Sequence, residues 1–195
     1  ILLRNIIYNF AAKVKAMKEK FKTKTNQGHE QLSDPLDNDI YVEIGKDDFP
    51  LFNPKGKVAA FLVHLLLIFW MFPQNLLGLL FAIVAGWRYL GTVGGAFYFR
   101  KPGTSSVTLG YFLFISDAAE RSISTASHEY GHHINSRWSG WFYLLIIGLP
   151  SAIACATVKD HDKYLRFYPE KWAEKFGHMY FPVDDYKKLL KKLGF

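Results

Sequence analysis

The chain has 195 residues, half of them hydrophobic, which is enough for one domain with a core of its own. Its 24 basic residues outnumber 17 acidic ones for a net charge of +7, yet no nucleic-acid-binding motif accompanies the excess, which points to a membrane surface rather than to nucleic acid. Cys155 is the single cysteine, so an intramolecular disulfide and a cysteine zinc cluster are both excluded.

From Ile1 to about Lys22, Leu3, Ile6, Ile7, Phe10, Val14, Met17 and Phe21 form an apolar stripe opposite a lysine-rich face. This reads as a basic amphipathic helix suited to a membrane interface. Thr23 to Asp39 is polar and reads as a linker, and Ile40 to Ile44 is a short strand candidate. Residues 1–57 thus form a basic helix and polar linker, and residues 58–195 form the main domain.

That domain opens with two apolar arms, Val58 to Phe72, interrupted only by His64, and Leu76 to Trp87, separated by Pro73-Gln74-Asn75. Each is short against the ~20 residues that span a bilayer. Lys55 and Lys57 before the first and Arg88 after the second place both ends on one side, so a helical hairpin is expected. Gly94 to Phe99 and Val107 to Ile115 read as two strands of a β-hairpin turning at Lys101-Pro102-Gly103.

The segment from Ser122 to Arg137 contains no proline and reads as a helix. Asp117 and Glu120 supply a capping box before it, and Asn135 to Gly140 supply stop signals. It carries His128-Glu129-Tyr130-Gly131-His132, of the form H-E-x-x-H. Positions i and i+4 share one helix face, so two imidazoles can reach one Zn²⁺ while the adjacent Glu129 serves as general base on a metal-bound water. His133 points about 100° away and is not expected to ligate.

Trp141 to Val158 is eighteen residues without a charge, broken at its centre by Gly148-Leu149-Pro150. A catalytic zinc usually takes three protein ligands. The strongest third candidate is Glu170, with Glu174 one turn on as a hydrogen-bond partner for a ligating histidine. Asp160, His161 and Asp162 compete for the ligand role. If Glu170 is the ligand, the apolar segment cannot cross a bilayer once, because the residues after it could not return through lipid. It must double back near Pro150 or lie buried.

H-E-x-x-H followed by E-x-x-A-[DE] resembles the gluzincin metalloproteases, in particular the membrane-embedded group of HtpX-type and CAAX-prenyl proteases. Pro-Gln-Asn-Leu-Leu-Gly from Pro73, His-Glu-Tyr-Gly-His from His128, Gly-Leu-Pro-Ser from Gly148 and Glu-Lys-Trp-Ala from Glu170 also resemble a bacterial family of small metallopeptidase-like proteins. Glu174 departs from the aspartate of the first group, and the interval from His132 to Glu170 is shorter.

The resemblance implies a mainly α fold with a small β-hairpin, a zincin-like metal helix and membrane-associated apolar hairpins. His128, His132 and Glu170 would be zinc ligands, Glu129 the base and Glu174 the outer partner. The strand from Val107 to Ile115 would run beside the metal helix, where an extended peptide or protein substrate could pair with it. His161, Tyr164, Tyr168 and His178 are candidate oxyanion donors. Location at a bacterial inner membrane, basic segments cytoplasmic, is the matching expectation. The alternative is a non-catalytic zinc-binding membrane interaction or scaffold protein.

Overall fold

A computed structural model describes residues 56–195. The amphipathic helix, the linker and the strand at Ile40 to Ile44 lie outside the described residues. Helix α1, Lys57–Trp70, meets α2, Phe72–Ala85, at Met71 with a bend of 87°. The arms therefore meet at nearly a right angle, at Met71, and do not fold back fully as the expected hairpin would. The corner is what packs: Leu67, Met71, Gln74, Asn75 and Gly78 are buried. Gln74 Nε2 donates to the Gly140 carbonyl, Asn75 Nδ2 to that of Ile68, and Trp70 Nε1 to that of Arg137. Polar side chains in an apolar sequence thus dock the corner and hold it bent.

Four strands follow: β1 Arg88–Val93, β2 Ala96–Lys101, β3 Val107–Leu109 and β4 Phe112–Ser116. Their order is β1-β2-β4-β3, with β2 and β4 parallel and the outer pairs antiparallel. The expected β2–β3 hairpin is corrected here, because β4 inserts between its two arms. The run Val107 to Ile115 breaks at Gly110, whose φ of 65° suits glycine, and Tyr111 N–H at that turn donates to Asn75 Oδ1 of α2. One sheet face sends Tyr98, Leu113 and Ile115 into the main core. The other packs Phe114 against Phe81 and Trp87, with Phe99 beside Phe114.

Helix α3, Ile123–Ser139, lies on the core face, with Ala126, Tyr130 and Ile134 packed inward. Its N-cap is Ser122, whose Oγ accepts from Thr125 N–H, while Asp117 to Ala119 form a separate 3₁₀ turn. The expected Asp117–Glu120 box is therefore not the cap; both carboxylates turn to Arg100.

After α3 the chain turns through a 3₁₀ turn at Gly140–Phe142. A π-turn at Leu144–Gly148 then leads directly into α4, Leu149–Thr157. The 119° change of direction comes between Phe142 and Leu144, not at Pro150. Pro150 lies within the continuous helical run Leu144–Thr157, directly after the π-turn, and does not end it. Helix α5, His161–Leu165, α6, Tyr168–Tyr180, and α7, Val183–Lys192, complete the chain. No single helix among the described residues is long and apolar enough to cross a membrane, although the two bent pairs are apolar.

Candidate metal centre

The site is made where α3 crosses α6, and small residues set how closely they meet. A Cβ on Gly131 would lie 1.8 Å from the Ala173 carbonyl oxygen, and one on Gly177 would lie 2.2 Å from that of Ser127. No side chain fits at either position. Ser127 and Gly131 on one helix, and Ala173 and Gly177 on the other, are each one turn apart. His128 and His132 on α3 and Glu170 and Glu174 on α6 flank this crossing, so the backbone contact sets their separation.

Glu170 is fully buried, and its Oε2 faces both imidazoles: 3.0 Å from His128 Nε2 and 3.5 Å from His132 Nε2. Ligating atoms from these three residues lie within 4.8 Å of one another, and no other such group occurs among the described residues. His128 Nδ1 lies 3.0 Å from Glu174 Oε2. Both imidazoles thus turn Nε2 inward, and His128 turns its other nitrogen to a carboxylate. This is the arrangement that fixes the orientation of a metal-binding histidine. Two nitrogens and a carboxylate oxygen around one point suit Zn²⁺.

The charges reinforce one another. Burial disfavours a charged His128, but Glu170 and Glu174 outweigh it and raise its pKa to about 10. Burial alone would push Glu170 up; hydrogen bonds from His128 and His132 hold it well below the carboxylate range instead. Hydrogen bonds from His128 and His178 lower Glu174 to about 2.

Without metal, the His128 contribution to stability is complete below its unfolded pKa of 6.5 and fades as pH rises to about 10. The Glu174 contribution is complete above 4.5 and fades as pH falls to about 2. Zinc instead requires the neutral imidazole. Chelator-treated protein should therefore lose thermal stability as pH rises from about 6.5 to about 10, and zinc should suppress that loss. Melting curves at matched ionic strength check this.

Glu129 follows His128 on the helix and is buried. The Thr108 hydroxyl on edge strand β3 lies 2.6 Å from Glu129 Oε2 and 3.0 Å from the Glu129 carbonyl oxygen, a forked donor that pins the residue at both ends. Sequence reading passed over Thr108. A hydroxyl in a β-strand carries no signal of its partner.

Of the remaining candidates, the His161 side chain lies outside the described residues. Tyr164 approaches the Glu170 carboxylate beside Ser151, and burial together with Glu170 raises its pKa. Tyr168 donates to the Ile146 carbonyl at 2.5 Å. His178 Nε2 lies 2.7 Å from Glu174 Oε1 and so supports Glu174 from outside. His161 begins α5, and Asp160 caps that helix by accepting from Lys163 N–H. Asp160 and Asp162 are not part of the three-ligand group. His133 is fully buried and bonds Gly110 O through Nδ1 at 2.8 Å, while His64 Nδ1 meets the Tyr111 hydroxyl at 2.9 Å.

Replacing Glu174 with Ala removes the partner of His128 Nδ1 and should weaken zinc binding about 10- to 100-fold, as read by competition with a chromophoric chelator. No protein-family model, curated protein or solved structure matches this chain.

Proposed function

We propose that the chain is a membrane-associated zinc metallopeptidase. The observation that carries this reading is the joint placement of His128, His132 and Glu170, with Glu174 behind His128 and Glu129 on the same helix. Zinc, when bound, supplies Lewis-acid polarisation and lowers the pKa of water toward 7. Glu129 is the general base: Thr108 holds Oε2, which leaves Oε1 to take the proton from water and return it to the leaving amine. Tyr164, beside Glu170, is the best-placed of the four candidate donors for the developing oxyanion. Among the described residues strand β3 is a sheet edge tied to Glu129 through Thr108, so an extended peptide pairing there would lie beside the base.

The membrane part rests on surface character. Phe61, Leu66, Phe69, Ile83 and Val84 on α1 and α2, and Trp141, Phe142, Leu145 and Ile153 around the second bend, are all more than half exposed. An apolar surface of that extent marks a membrane or partner interface. The length of the arms fits a protein seated in one leaflet.

Zinc-loaded protein should cleave an unstructured polypeptide such as casein, lose that activity to a chelator and regain it with added zinc. Stoichiometric zinc with no cleavage would favour the scaffold reading.

A further inference from the structure

An open cleft of about 320 Å³ lies at the far end of α2, lined by residues 85–88 together with Arg100, Pro102 and Asp117. Three features set it apart. First, Arg88 and Arg100 are direct partners in the β1–β2 ladder. Like charges so placed destabilise a sheet unless something neutralises them. Arg100 is neutralised within the chain, with Nε 2.6 Å from Asp117 and 3.4 Å from Glu120. Arg88 is exposed and forms no ion pair among the described residues. Second, beside the cleft Lys101 Nζ donates to the Ser105 carbonyl and stands 6.0 Å from the Trp87 ring, so among the described residues three cations and two carboxylates lie in or next to the cleft, an excess of one positive charge. Third, the cleft continues the exposed apolar face of α2, which ends at Ile83 and Val84, the latter 84% exposed. An indole at the boundary between an apolar surface and arginines is the pattern of a membrane interface.

We propose that this cleft takes the phosphate of a phospholipid headgroup, with Arg88 as its cation, Trp87 as its wall and the acyl chains lying along α2. A guanidinium suits a phosphodiester because it offers a planar fork of donors to two oxygens. The net charge of the cleft matches the single charge of a phosphatidylglycerol. The proposal rests on the membrane part of the reading above and is independent of zinc.

The test is flotation of the whole chain on phosphatidylcholine vesicles with and without phosphatidylglycerol. Wild-type protein should bind the mixed vesicles more tightly. Arg88→Gln should lower that affinity about fivefold, the effect of one well-placed cation. Arg88→Lys should retain part of it, and Lys192→Gln, at an exposed lysine of α7, should change it less than twofold. An equal loss in Arg88→Gln and Lys192→Gln would mean attraction by general surface charge and would overturn the site while sparing the membrane reading. If Arg88→Gln lowers the protein's affinity for inorganic phosphate in the absence of vesicles but leaves its affinity for the mixed vesicles unchanged, the ligand is free phosphate and the lipid assignment fails. Failure of wild-type protein to bind any vesicle would overturn the membrane reading and this site together.

Discussion

A Glu129→Gln protein should bind zinc as the parent does and hydrolyse peptide bonds about 10²- to 10⁴-fold more slowly. The substitution keeps size and shape. The Thr108 hydroxyl can still donate to the amide oxygen as it does to Glu129 Oε2, and its contact with the residue 129 carbonyl is untouched. The His128, His132 and Glu170 set does not include residue 129, so zinc content should be unaltered. The amide can neither accept the proton from water nor return it to the leaving amine. Zinc content and casein cleavage, measured on the same preparations, separate the two roles. Undiminished cleavage would remove Glu129 as the base.

The second large effect concerns a residue that supplies no ligand atom. Gly131→Ala should destabilise the protein by at least about 1–3 kcal/mol, the usual cost of overpacking. It should also reduce zinc affinity. Its new methyl would meet the Ala173 carbonyl, and backbone cannot rotate aside as a side chain can. The helices must part, and His128 and His132 then move away from Glu170. Gly148→Ala is the matching control. Its Cβ would come no closer than 3.4 Å to its neighbours, and alanine is the better helix former. Equal thermal stability in the two variants would contradict the close crossing.

The same crossing shows what the sequence could and could not reveal. His128, His132, Glu170 and Glu174 were legible because ligand spacing on a helix follows from its pitch, and each pair is local. Gly131 and Gly177 were visible as small residues. Their partnership was not, because a contact across 46 residues has no periodic signature. The β-run from Val107 to Ile115 looked continuous because its hydrophobicity is, yet Gly110 turns it back under Asn75. The insertion of β4 between β2 and β3 depends on that turn and on the core, and Lys101-Pro102-Gly103 is an equally good loop for either topology.

Pro150 misled for a related reason. A proline inside a regular α-helix removes a hydrogen bond and clashes with the preceding turn. Here the helix runs from Leu144 through Pro150 because a π-turn precedes the proline. The polar pair Gln74 and Asn75 looked like a loop between two apolar arms. In the structure it anchors the corner of α1 and α2 to the Gly140 carbonyl and the Gly110–Tyr111 turn.

The most direct test of the account is X-ray absorption at the zinc edge on protein loaded with one equivalent of zinc, with His128→Ala and Glu170→Ala alongside. The account predicts one zinc per chain with two imidazole nitrogens and a carboxylate oxygen at about 2.0–2.2 Å, and loss of the corresponding signal in each variant. Failure to bind zinc, or a zinc environment unchanged by either substitution, would contradict it.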